Sequence, residues 1–122
     1  MKRVPYIPTI IDWTIRFVFS CFIPHTAKIG KGLIVGYGGL GIVIHADAVI
    51  GDNVYIGQGV TIGADISNEG APTIKNRVYI GSGAKILGSV CIGDEVIIGA
   101  NAVVVSDIPS RCVAVGIPAK VI

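Results

Sequence analysis

Aromatic side chains are scarce: Phe, Trp and Tyr make up 7% of the 122 residues, with one Trp and one Met. A helical bundle fills its core with Leu, Met and rings, and this composition does not supply them. Charge is also sparse. Charged residues are 15% of the chain and the net charge is +2, without a basic block. Nucleic-acid binding is therefore excluded as a leading expectation, because neutralising phosphates takes a clustered Lys/Arg face. The cysteines are Cys21, Cys91 and Cys112, an odd number with no CxxC. They read as reduced thiols of a cytoplasmic protein. Two histidines and scattered cysteines lack the spacing of a metal-ligand set, so no metal is expected. No apolar run is long enough to span a bilayer. The N-terminal run is broken by Pro5, Pro8, Asp12 and Arg16 and lacks a small-residue cleavage site, which argues against a signal peptide.

What is abundant is Ile, Val and Gly, the last at 17 residues. Aliphatic–Gly pairs recur as Ile29-Gly30, Val35-Gly36, Ile50-Gly51, Ile56-Gly57, Ile62-Gly63, Ile80-Gly81, Ile92-Gly93 and Ile98-Gly99. Most of their separations are six residues or multiples of six. Four residues after most of these Ile positions stands a small or β-branched side chain: Val54, Val60, Val78, Ala84, Val90, Val96, Ala102. A hexad of this kind makes one short strand and one tight corner, where a glycine at φ > 0 is expected. Three hexads close a triangular coil of about 18 residues, and coils stack at the strand spacing of roughly 4.8 Å. No hexad buries its Ile alone, so stability comes from stacking. The expectation is an all-β parallel β-helix of about five coils, starting near Ile23, Ile44, Ile62, Ile86 and Val104.

Two breaks in register point to function, because regular cores do not need insertions. Three residues are inserted around Tyr37-Gly38-Gly39-Leu40-Gly41, and residues 64–73 must protrude as a loop. The organisation expected is an N-terminal amphipathic segment (1–22), the repeat domain (23–109) and a C-terminal tail (110–122). Within the first segment, Ile11, Ile15, Val18 and Phe22 fall at helical spacing, and Asp12 and Arg16 stand four apart. A short helix over residues 9–22 is expected to pack on the domain or on a sister subunit. Trp13, Phe17 and Phe19 would also suit contact with a membrane surface.

Three stretches carry a family resemblance: Gly41-Ile42-Val43-Ile44 through Ala48-Val49-Ile50; Gly81-Ser82-Gly83-Ala84-Lys85-Ile86-Leu87-Gly88; and Val115-Gly116-Ile117-Pro118-Ala119-Lys120. With these the chain resembles the left-handed β-helix acyltransferases, specifically their serine-acetyltransferase-like branch. The resemblance implies the left hand of the helix and a homotrimer with sites in the clefts between subunits. It implies acetyl-CoA as co-substrate, its pantetheine amides meeting backbone near Gly83, Ala84 and Ala102. Lys120 would stand near a phosphate of the nucleotide.

Departures from the serine enzymes are equally visible. Their catalytic His, in an Asp–His pair, corresponds here to Tyr37 after Gly36. The acidic partner before the first coil corresponds to Phe22, and a second His, in the protruding loop, to Ala71. The long helical N-terminal domain has no counterpart in this sequence. Short chains resembling this one belong to surface-polysaccharide pathways, so a sugar hydroxyl is the expected acceptor. A serine-directed enzyme and a non-catalytic β-helix scaffold are the alternatives.

Acetyl transfer from a thioester to an alcohol needs a base for the hydroxyl proton and a donor for the oxyanion. Imidazole suits the first task. His45, in the corner slot after Ile44 where other hexads carry Gly, is the expected base. His25, near the first corner, is the other imidazole, and stacking of Ile23 on Ile44 would bring the two close. His25, Tyr37, Gln58 and Asp65 are the candidates for acceptor binding. Asp47, Asn68 and Glu69 are secondary, and Asp52-Asn53 and Asp94-Glu95 read as turn chemistry.

Overall fold

The computed structural model describes residues 6–67 and 69–122, apart from the side chain of Phe19. Helix α1 (Ile7–Phe19) is followed by fourteen short strands. They are β1 (Lys28–Ile29), β2 (Ile34–Val35), β3 (Val43–Ile44), β4 (Val49–Ile50), β5 (Tyr55–Ile56), β6 (Thr61–Gly63) and β7 (Thr73–Ile74). The rest are β8 (Tyr79–Ile80), β9 (Lys85–Leu87), β10 (Cys91–Ile92), β11 (Ile97–Ile98), β12 (Val103–Val104), β13 (Val113–Val115) and β14 (Lys120–Val121).

The strands form three flat faces. One holds β3, β6, β9 and β12; a second holds β1, β4, β7 and β10; the third runs β2, β5, β8, β11, β13, β14. Pairing is parallel throughout except for β13 with β14, which is antiparallel. The result is a parallel β-helix of about four turns rather than five. The first and last turns are incomplete, because Phe22 and Ile108 join only as isolated bridges to Val43 and Ile92. The solenoid does not stop at residue 109. β13 continues the third face, and the tail folds back as β14.

The inward positions are those the repeat dictates. Ile44, Ile62, Ile86 and Val104 stack in register on one face. Ile50, Ile74 and Ile92 do so on the second, and Ile56, Ile80 and Ile98 on the third. All are essentially removed from water, each contributing about 1.5–3 kcal/mol. Val54, Val60, Val78, Ala84, Val90, Val96 and Ala102 are the small residues buried between them.

The role expected of the repeat glycines is corrected. At the two edges that flank the third face the residue with φ > 0 stands two places later: Gly32, Asn53, Gly59, Arg77, Gly83, Glu95, Asn101, Arg111. The glycine after the Ile is needed for room. A Cβ on Gly57 would lie 2.7 Å from the Ser82 amide nitrogen, and one on Gly81 would lie 2.6 Å from that of Ala100. Each coil closes directly onto the next at these points.

Helix α1 starts and ends earlier than expected. Pro8 sits in its first turn, and Ser20, in the left-handed region at φ 53°, terminates it. Phe22 is therefore not helical. Asp12 and Ile15 are half-buried, whereas Ile11 and Val18 of the expected stripe are exposed. No described helix is long and apolar enough to cross a membrane.

Candidate functional site

The three-sided coil divides the candidate residues between two edges. The insertion after β2 forms a 3₁₀ turn, Gly36–Gly39, at the edge where the chain passes from β2 to β3. Tyr37 there has φ 49° and is 83% exposed. In later coils the same edge carries Gln58, then Ser82, Gly83 and Ala84, then Ala100 to Ala102. The Ser82 hydroxyl donates to Gln58 Oε1 at 2.7 Å, tying two coils together. Lys85 Nζ donates to the Gly83 and Gly59 carbonyls at 2.7 and 3.1 Å, which fixes an ammonium group beside them. The tail closes the top of this edge. Val103 donates its amide to Gly116 and accepts from Ala119, leaving Lys120 exposed in β14.

Ala84 and Ala102 are fully buried, main chain included, whereas Gln58, Ser82 and Gly83 are partly exposed. The amides of Gly83, Ala84 and Ala102 already donate to Gln58, Gly81 and Gly99. A ligand at this edge would therefore meet no free amide at these three positions, and of them only Gly83 is partly exposed.

The edge between β3 and β4 carries the other set. It holds both histidines and the loop after Gly63, with Asp65 accepting from Ser67 N–H at 3.0 Å and from the Ser67 hydroxyl. The half-buried His45 receives the Asp47 N–H on Nδ1 at 3.0 Å. A backbone amide only donates, so Nδ1 is the acceptor and the ring proton sits on Nε2. His45 thus presents a donor outward. Asn68, a secondary candidate, lies outside the described residues, and Glu69 is exposed in the loop.

The two histidines do not pair with each other. Phe22 and Val43 bridge, as the stacking of Ile23 on Ile44 requires. The partner of His25, however, is Asp12 of α1. Asp12 Oδ2 lies 2.6 Å from His25 Nδ1, and Oδ1 accepts the His25 amide at 3.1 Å. Asp12 is therefore not the helix partner of Arg16, as the spacing suggested. The Arg16 guanidinium lies 5.4 Å from the Trp13 ring centre and 5.9 Å from that of Phe22. The sequence offers Asp12 and Arg16 only as residues four apart on a helix, and does not single out Lys85. Only the return of the chain after Ser20 brings Asp12 to His25, and nothing local encodes it.

Between α1 and the β3 face runs a groove in two connected parts. A space of about 450 Å³ is lined by Arg16, Ser20, Cys21, Phe22, Ile42 and Val43. A second of about 300 Å³ is lined by Thr9, Asp12, Trp13, Arg16 and Phe22. Arg16 and Phe22 line both, so the groove leads from the β2/β3 edge toward the Asp12–His25 pair. Among the described residues no group of His, Cys, Asp and Glu is arranged to hold a metal ion.

Comparison with known proteins agrees with this architecture. Residues 71–106 match the bacterial transferase hexapeptide (six repeats) family. A serine acetyltransferase of Helicobacter pylori (strain J99) is 46% identical over 99% of this chain and 71% of its own length. The crystal structure of Neisseria gonorrhoeae serine acetyltransferase with serine superposes with a TM-score of 0.86 at 38% identity, over 92% of this chain. A serine acetyltransferase complex with CoA gives 0.82 at 37% identity. This chain spans 46% of each of those two solved chains. The chain belongs to the hexapeptide-repeat acyltransferases, in their serine-acetyltransferase-like branch.

Proposed function

We propose that this protein is an acetyl-CoA-dependent O-acetyltransferase that acts on a small hydroxyl acceptor. The observation that carries this is the β2/β3 edge. Gln58, Ser82 and Gly83 lie partly exposed there on successive coils, the Ser82 hydroxyl tied to Gln58, with Ala84 and Ala102 packed beneath them, and Lys120 stands exposed at the tail. A relative with the same fold was solved with CoA. Serine is the acceptor named for the relatives, and it is the first acceptor proposed here. A sugar hydroxyl is the second reading. It is favoured by Phe22, Tyr37 and Ala71 at the three places where resemblance to the serine enzymes calls for an acid and two histidines.

The reaction asks little covalent chemistry of the protein. The acceptor oxygen attacks the thioester carbonyl while an imidazole takes its proton. N–H donors stabilise the oxyanion, and the outward Nε2–H of His45 is suited to that work or to holding the acceptor. The tetrahedral species collapses with loss of the CoA thiolate, which takes up a proton.

The two edges stand about 15 Å apart across the β3 face, at the strand rise for about five residues. A homotrimer would set the β2/β3 edge of one subunit against the neighbour's other edge, and it is proposed as the working assembly. Sedimentation equilibrium tests it, and a monomer at all concentrations would remove the inter-subunit site.

The function is tested by CoA thiol release from acetyl-CoA with serine, nucleotide sugars and glycan fragments as acceptors. Turnover on serine supports the first reading, and turnover on a sugar alone supports the second. Failure of acetyl-CoA to raise the melting temperature, together with no release, would leave a β-helix scaffold. A ligand that binds only the folded state must stabilise it.

A further inference from the structure

We infer that the Asp12–His25 pair is the proton-accepting dyad of the acyl transfer, and that the groove beside it takes an acceptor bearing an acidic group, held by Arg16. This rests on the acyltransferase reading above and adds to it the base, its orienting carboxylate and the charge of the acceptor.

The argument begins with tautomers. A carboxylate accepts, so its 2.6 Å contact with Nδ1 puts the ring proton there and leaves the Nε2 lone pair of His25 to act as base. His45 is held in the opposite tautomer by the Asp47 amide. Of the two imidazoles, His25 is thus the one set to receive a proton at its outer nitrogen. The second contact from Asp12, to the His25 amide, fixes the carboxylate relative to the backbone as well as to the ring. His25 is exposed while Asp12 is half-buried beneath it, so the ring meets substrate and the acid does not.

The groove supplies the acceptor. Asp12 lines one end of it, and Arg16 and Phe22 line its whole length. Its parts are of the size that holds small metabolites. The walls are mostly apolar, with Phe22, Trp13, Ile42 and Val43. The Arg16 guanidinium rests over the Trp13 and Phe22 rings, and its ion pairs with carboxylates number none among the described residues. A guanidinium spread on aromatic faces keeps its fork of N–H donors for a planar anion such as a carboxylate. The chemistry balances without another reagent. The acceptor O–H gives its proton to His25 Nε2 as the new C–O bond forms. The C–S bond then breaks, and the imidazolium returns that proton to the CoA thiolate.

The experiment uses matched acceptors with the full chain: serine against serinamide, and glucuronic acid against glucose, each with acetyl-CoA. Wild type is expected to prefer the anionic member of the productive pair by more than about tenfold, and Arg16→Gln to abolish that preference by raising KM for it alone. His25→Gln is expected to lower kcat by about 10²–10⁴-fold. Asp12→Asn is expected to lower kcat with KM little changed, and Asp12→Glu to restore part of it. Melting temperatures within a few degrees of wild type establish that the variants are folded, and Asp12→Asn carries the test if His25→Gln is not. Full kcat in folded His25→Gln or Asp12→Asn overturns the dyad while leaving the acyltransferase standing. Equal use of the neutral and anionic acceptors overturns the role of Arg16. No thiol release from wild type with any acceptor overturns the underlying reading and the dyad with it.

Discussion

Asn76 Oδ1 accepts the backbone N–H of Asp52 at 2.8 Å, one coil away. The relationship repeats along the edge between the second and third faces. Asp52 Oδ1 accepts from the Lys31 amide, Asp94 Oδ1 from Asn76, and the Ser110 hydroxyl from Asp94. A side-chain oxygen from each coil thus satisfies an amide of the coil before it. The same oxygens occupy the space a Cβ would need at Gly30 and Gly51. Replacing Asn76 by Leu leaves the Asp52 amide without its partner. The expected loss is about 1–3 kcal/mol. Asn76→Asp, which keeps an acceptor, should lose less. Urea unfolding midpoints of the two variants decide it, and equal midpoints would mean the ladder contributes nothing.

Gly57→Ala should destabilise although Gly57 has no left-handed backbone. Its Cβ would fall 2.7–2.8 Å from the Ser82 backbone and hydroxyl, which rigid coil stacking cannot relieve. The strain bears on the Gln58–Ser82 bond next to it. A loss of about 1–3 kcal/mol is expected. Affinity for CoA, read by calorimetry, should fall with it, whereas Gly38→Ala, whose Cβ meets nothing within 4 Å, should pay only for its positive φ and leave CoA affinity intact.

The solenoid was legible because its physics is local and periodic. Ile44, Ile62 and Ile86 announce their stacking by spacing alone, and the loop after Gly63 follows from the break in that spacing. The glycine rule was misassigned for a geometric reason. Both room and φ > 0 are demanded in one corner, but by residues two apart, and Asn53, Arg77 and Glu95 fill the second demand without being glycine. The site was less legible. Gln58, Gly83 and Tyr37 could be placed on one edge by counting, whereas the Asp12–His25 contact spans a helix end and a chain reversal at Ser20. An i, i+4 Asp–Arg pair is the stronger local signal there, and tertiary packing overrides it.

Tyr37 and Phe22 stand where resemblance to the serine enzymes puts a catalytic His and its acidic partner. If serine is a weak acceptor for this chain because of them, the double variant Phe22→Asp/Tyr37→His should raise kcat/KM for serine by about tenfold or more, the lower end of what a placed base supplies. Tyr37 already holds φ 49°, a conformation His tolerates comparatively well, and Tyr37 is exposed, so the exchange at that position should cost little stability. Thiol release with serine measures it. An unchanged value in a folded double variant would mean that these two positions do not set the acceptor.

Cys21 provides a test of the packing where α1 meets the first coil. It is 5% exposed, and burial pushes its thiol above the ordinary value of 9.0. The thiolate is the reactive form, so iodoacetamide at pH 8 should label the half-buried Cys91 and Cys112 before Cys21, which should react only on unfolding. The sign of the linked stability follows. Above pH 9.0 the unfolded thiol loses its proton while the folded one keeps it, so the native state binds more protons and stability falls as pH rises. Cys21→Ala removes this contribution, and the stability difference between wild type and variant should narrow from pH 8 to pH 10. Parallel curves over that range, or labelling of Cys21 as fast as Cys91, would mean that the helix does not seal this position in solution.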